Sequence, residues 1–466
     1  MDDLEPLEQR EIPEPPKLKD LIGPSFILLG LGLGSGEIIL WPYLSANYGL
    51  GIIWAAVLGI TFQFFLNMEI ERYTIATGES VFVGLSRKFG KISPIWFIGC
   101  TFLPWIWPGI TASAATVLGA AFGFSYSKYI GVALLIIMGI LLSAGEIVYK
   151  TQERIQKAII LIGVPFIFLL AIAFTKASGW IALGKGVIGI GEGFKFLPKG
   201  IPIATFLGAL AYAGAGGTLN LAQSLYAKEK GYGMGRYSSK LTSILKGKKE
   251  NYDLEGFKFE QTPKNILIFK LWWRRINIEH AIVFWATGAV TILMLSLLSY
   301  STVHGLPNIQ KGINFVLLES QVFKVSISPV LSVVFLIMVG IMLFGTQFSV
   351  LGSTSRIMAE NLVVYSQSRF KIEHLPKFFF FFLWLQILAG VAIFLFGFSE
   401  PLNLVITGAV LNAISMFIYS GMILSVNNSL LPKALKPSLI RSGIIFLAFI
   451  FYGFFSLMTI YQYLRG

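Results

Sequence analysis

Cysteine is nearly absent from this chain. Cys100 stands alone among 466 residues, which excludes an intramolecular disulfide and any cysteine-based metal cluster. It reads as a small apolar filler. Charge is scarce too: Asp, Glu, Lys and Arg make up 13% of the sequence, against 55% hydrophobic residues. Soluble α/β domains also reach high apolar content, but not with so many long runs free of charge. Histidine occurs three times, at His280, His304 and His374, in or beside expected loops and at no metal-ligand spacing. No Gly-x-x-x-x-Gly-Lys phosphate loop is present, which argues against coupling to ATP hydrolysis on this chain, and no cofactor is implied. Residues 1–21 lack the basic start and cleavage site of a signal peptide; acidic and Pro-rich (PEPP), they read as a soluble cytoplasmic tail.

Apolar runs fill the rest. A bilayer core of roughly 30 Å takes about 20 apolar residues per helix. Eleven such spans are expected, at 22–46, 50–70, 93–122, 128–147, 155–174, 201–226, 279–300, 327–350, 376–397, 401–425 and 438–463. The fold class is therefore an all-α, multi-pass membrane protein with the lipid bilayer as its surroundings. The net charge of +13 invites a nucleic-acid reading, but its distribution removes it. With the N-terminus in the cytoplasm and the loops alternating, inside loops carry 29 of the 37 Lys and Arg. That is the positive-inside bias, and it places the C-terminus outside the cell membrane.

Two spans hold clusters of glycine. The first is Gly30-Leu31-Gly32-Leu33-Gly34-Ser35-Gly36-Glu37, and the second is Tyr212-Ala213-Gly214-Ala215-Gly216-Gly217-Thr218-Leu219-Asn220. Each glycine costs about 1 kcal/mol relative to alanine inside a helix. Small residues also let membrane helices pack closely, which explains single glycines better than dense clusters ending in a polar residue. Spans one and six open two sets of five. Carriers built from inverted repeats place discontinuous helices at such corresponding positions, and the breaks face each other at the substrate site. The expected organisation is a tail (1–21), a first five-helix repeat (22–174), an extracellular linker (175–200), a second repeat (201–425, with cytoplasmic loop 227–278) and an extra helix (426–466). Within span three, Pro104 and Pro108 of PWIWP predict a kink or break. Trp272, Trp273, Arg274 and Arg275 read as an interfacial anchor before span seven.

These residues support a comparison. The opening GPSFILLGLGLGSGE resembles the natural resistance-associated macrophage protein (Nramp) family of metal-ion transporters. IATGES (75–80) and GTQFSVLGSTSRIMAEN (345–361) are similar to further segments of that family. The resemblance implies eleven spans and a five-plus-five inverted repeat of leucine-transporter type with broken helices 1 and 6. It departs at the functional residues. Where typical members carry Asp-Pro-Gly-Asn, this chain has Gly34, Ser35, Gly36 and Glu37; where they carry Met-Pro-His, it has Gly217, Thr218 and Leu219, then Asn220. The thioether, a soft ligand, is gone. Glu37, Ser35, Thr218, Asn220 and backbone carbonyls form an all-oxygen set suited to a hard divalent cation. GSGE is also similar to the broken first span of amino-acid/polyamine/organocation transporters, so an amino acid or other small organic solute is the alternative cargo.

The candidate substrate site is Gly34, Ser35, Gly36, Glu37, Gly214, Gly216, Gly217, Thr218, Asn220, Gln347 and Asn412, with Glu37 and Asn220 as metal ligands. Translocon scales place a mid-span charge at about +2.5–3.5 kcal/mol, so an intramembrane acid is functional by default. Glu37 either coordinates a cation or carries a coupled proton. Asn220 binds substrate or bridges helices. Gln63 and Asn67, at i and i+4, read as helix bridges. Glu69, Glu71, Glu146 and Glu360 lie near span ends and read as interfacial, as gate partners for Arg72, Arg154 or Arg356. The expected function is alternating-access secondary transport, not enzymatic catalysis.

Overall fold

The computed structural model describes residues 4–21, 23–124, 128–144, 148–238, 254–306, 309, 312–366 and 372–465. Among the described residues, nine helices are long and apolar enough to cross a membrane, and Lys128–Ala144 is a shorter apolar helix. Span six is in two pieces, Ile203–Ala211 and Ala222–Lys230. Together these supply the eleven expected spans of a multi-pass membrane protein.

Several boundaries move. The helix of span seven begins at Pro263, not near 279, and runs to Val303 through a π-helical stretch at Ala281–Ala286. Thr262 caps it by accepting from the Asn265 N–H, and Pro263 takes the first turn, where a missing N–H costs nothing. At about 1.5 Å per residue it is roughly 60 Å long, about twice the bilayer core. His280 therefore lies inside a helix and is fully buried, not in a loop. Trp272 and Trp273, expected as interfacial anchors, also make bonds and contacts inside the protein. The Trp272 Nε1 donates to the Pro13 carbonyl at 2.6 Å, and the guanidiniums of Arg72 and Arg441 lie 3.8 and 4.8 Å from the Trp273 ring centroid. Arg275 donates to the Pro15 carbonyl at 2.8 Å.

Those bonds hold the N-terminal tail, which is docked instead of free. Its strand Glu8–Gln9 pairs in parallel with Phe257–Lys258, Glu8 opposite Phe257. Arg87 donates to the Glu5 carbonyl and Tyr237 to the Glu11 carbonyl, both at 2.8 Å. Two-residue strands do not alter the all-helical class.

Prolines break span three as expected, into Ile92–Trp105 and Gly109–Ala121. Span one (Pro24–Tyr48) is central. All of its apolar stretch is buried, against 33% of that in span five. Span eight (Pro329–Tyr365) packs against it and both halves of span three, while span eleven (Leu439–Arg465) lies along span ten (Pro401–Leu430).

Of the acids expected at the interface, Glu69, Glu71 and Glu360 are wholly buried, and Glu146 lies outside the described residues. A buried carboxylate needs partners, and Glu69 has several. Arg72 donates to it at 2.6 Å and Arg441 at 3.0 Å, which ties span eleven to span two. Arg356 pairs with Glu229 at 3.0 Å and lies 3.7 Å from Glu360. Arg154 is exposed.

Candidate functional site

The two glycine clusters take different forms. Span one does not unwind. Its backbone passes from α-helix (Pro24–Gly32) into a π-helical stretch (Leu33–Leu40) and back to α-helix (Trp41–Tyr48). Its glycines are there for proximity. A Cβ on Gly32 would stand 2.6 Å from the Gly214 carbonyl oxygen, one on Gly34 2.7 Å from Thr346, and one on Gly36 would overlap the Tyr212 carbonyl oxygen. Span six does break. After Ala211 the chain leaves the helix, and Gly216 and Gly217 adopt φ of +76° and +54°, which side-chain-bearing residues rarely take. A short 3-10 turn, Gly217–Leu221, then leads into the second half.

Gln63 of span two (Leu50–Thr77) closes this break. Its Nε2 donates to the Ala211 carbonyl, and its Oε1 accepts from the Gly216 N–H, both at 3.0 Å. A backbone donor and a backbone acceptor fix the amide orientation. The bridging role expected for Gln63 is present, but aimed at exposed backbone. Asn67, on the same face, reaches His280 instead, at 3.3 Å.

The remaining span-six residues turn toward spans three and ten. Thr101 donates to the Thr218 hydroxyl at 3.1 Å. Asn220 donates to the Tyr419 hydroxyl and Asn412 to the Tyr212 hydroxyl, each at 2.9 Å. Tyr212 stacks on Trp105, ring centroids 5.4 Å apart. Beside them is a cavity of about 10 Å³, bordered by Pro104, Trp105, Tyr212, Gln347 and Gly408, with room for about one water. Gln347 and Asn412 thus meet at Tyr212, a residue the sequence reading did not single out although it opens the motif.

Glu37 faces elsewhere. Its Oε1 is the near neighbour of Gly288 in span seven, 3.4 Å from where a Cβ would stand. Gly36, one residue earlier, is the residue that touches span six. Successive residues of this π-helical stretch face different ways, so Gly36 abuts span six and Glu37 abuts span seven. Every residue from Gly30 to Ala46 is buried. The Ser35 Oγ, both Glu37 oxygens and the Oδ1 atoms of Asn220 and Asn412 have no hydrogen-bond partner. Among the described residues, no group of three or more His, Cys, Asp or Glu is placed to hold a metal.

By sequence, no family model and no curated protein matches the chain. Solved structures do match. A manganese transporter of Eremococcus coleocola, as a mutant, superposes with a TM-score of 0.69 at 14% identity, over 98% of this chain and 90% of that one. Mhp1, a nucleobase-cation-symport-1 family transporter with bromovinylhydantoin bound, gives 0.56 at 14% identity over 98% and 93%. MhsT in complex with L-phenylalanine gives 0.50 at 15% identity over 97% and 99%. The chain has the fold of these transporters, the five-plus-five inverted repeat of leucine-transporter type.

Proposed function

We propose that this protein is a secondary active carrier, related to the Nramp transporters, that moves a hard divalent metal cation across the cell membrane by alternating access, with its N-terminus in the cytoplasm. The observation that carries this reading is the set of buried, unpartnered oxygens on Ser35, Glu37, Asn220 and Asn412. A buried carboxylate without a partner is unstable, and a set made of oxygen acceptors suits a hard cation. Their two directions fit alternating access: in this conformation Glu37 is turned from the span-six oxygens, and rocking of one bundle would bring the ligands together. Glu37 also serves as the coupling proton carrier when no cation neutralises it.

A second reading has one observation of its own. The Trp105 Nε1 is buried without a partner beside the aromatic cavity at Tyr212, a donor that an organic solute with an acceptor group would satisfy. A thermal-shift screen of purified protein separates the two. Magnesium, manganese or calcium should raise the melting temperature, and amino acids should not; saturation at about 100 times Kd contributes about 2.7 kcal/mol. Glu37→Gln should weaken the effect about 100-fold, the equivalent of about 3 kcal/mol, and abolish cation flux into liposomes. Stabilisation by an organic solute alone would move the assignment to the second reading.

A further inference from the structure

A separate group of buried polar side chains lies where spans one, two, six and seven meet, toward their cytoplasmic ends. The Ser25 Oγ donates to the Glu279 Oε2 at 2.5 Å. It also lies 2.8 Å from the His280 Nδ1, whose ring Nε2 is 3.3 Å from the Asn67 Nδ2. Ser25 has one proton and Glu279 receives it, so His280 donates to Ser25 through Nδ1 and accepts from Asn67 through Nε2. The imidazole is thereby fixed as one neutral tautomer, stacked on Phe284 with ring centroids 4.7 Å apart. One turn along span two from Asn67, Glu71 accepts from the Gln223 Nε2 at 3.1 Å.

The atoms left over share one chemistry. The Glu71 Oε1, Glu279 Oε1, Asn67 Oδ1 and Gln223 Oε1 are all buried, and none has a partner. Each donor atom in the group is engaged; every orphan is an acceptor. The Glu71 carboxyl feels the charge of Glu279, while Glu279 is held by Ser25 and the Gly23 backbone, and Lys157 and Lys230 act on it only through space. Their ammonium groups are bonded to Glu153, at 2.7 and 3.4 Å. A proton on each carboxyl would supply two donors for the two amide oxygens, so a pair of neutral acids is the competing occupant. A cation drawn in among them would give each of the four a positive partner.

We infer that Glu71 and Glu279, with the amide oxygens of Asn67 and Gln223, form a second site for a hard metal cation, on the cytoplasmic side of the substrate site. This rests on the hard-cation reading of the carrier. Two carboxylates and two amide oxygens are fewer than the six to eight ligands, roughly, that such an ion takes, so water completes the shell and binding is weak. Weak binding suits a resting place on the way out, since an ion must leave as readily as it arrives. Ser25, on span one, and His280 hold the Glu279 carboxylate in place and are positioning residues.

Manganese binding to the purified full-length protein tests this, by counting sites at equilibrium. Wild type should bind two Mn²⁺ per chain. Glu279→Gln and Glu71→Gln should each remove the weaker site, raising its Kd at least 30-fold, and leave the other. Glu37→Gln should do the reverse. Asn67→Asp, which adds a carboxylate, should tighten the weaker site and shows that loss in the other variants is not misfolding. One site, lost in Glu37→Gln and indifferent to Glu71 and Glu279, overturns the second site and leaves the carrier reading standing. Two sites that both survive Glu279→Gln and Glu71→Gln overturn it as well. No Mn²⁺ binding by wild type overturns both.

Discussion

Gln63 holds two backbone groups that no helix serves. Its replacement by leucine leaves the Ala211 carbonyl and the Gly216 N–H buried and unpaired. Each orphaned group costs about 1–3 kcal/mol, so Gln63→Leu should lower stability by the sum of two such terms. Thermal melting measures the loss, and faster hydrogen exchange confined to residues 211–217 would locate it. Glu319 is a second consequential residue. It lies on the helix Asn314–Ser326 between spans seven and eight, buried and bonded to the Ser299 hydroxyl. Burial pushes its carboxyl from 4.5 up to about 8, while the Ser299 bond acts the other way. The native state therefore binds the proton more tightly than the unfolded chain. Stability from this group is full at low pH and falls as pH rises from 4.5 to about 8. Glu319→Gln should flatten that fall, raising the melting temperature at pH 8 by roughly a few degrees. A pH series of melts on both proteins decides it.

At the scale of elements, the glycine clusters show what a sequence reveals and what it hides. Both marked real departures from α-helix, in spans one and six. Their kinds were not legible. Whether a glycine is needed for its torsion or for its missing Cβ depends on what lies opposite, and a single sequence does not contain that. Gly216 and Gly217 have positive φ; Gly32, Gly34 and Gly36 sit in helical backbone with neighbours pressed against them. Close helix packing thus explains the span-one cluster after all. Gly36→Ala should leave helix content unchanged by circular dichroism yet destabilise the protein by about 1–3 kcal/mol or more, because its methyl meets the Tyr212 carbonyl. Unchanged melting would show that span six can retreat. Span seven was misjudged for a different reason. Its amphipathic first half lacks the uniform apolarity of a membrane run, so Glu279 and His280 fell at an assumed boundary. The Thr262-Pro263 start signal was present and would have moved it.

For the whole molecule, the docked tail joins segments far apart in the sequence. It bonds the first half of span seven, the residues after span two and the segment after span six. Deleting residues 1–16 should therefore speed hydrogen exchange across 257–275; unchanged exchange would make the tail a passive strand. The carboxylate of Glu69 makes a comparable tie for span eleven. A last consequence comes from the winding of span one. In a π-helix each N–H reaches back five residues instead of four. Rewinding one such turn as α-helix moves the register by a single residue and turns everything beyond it like a screw, by about 100° per residue. A turn of that size is comparable to the step from Gly36, which abuts span six, to Glu37, which abuts span seven. Span one therefore has a built-in means of swinging its carboxylate from one neighbour to another without breaking its backbone.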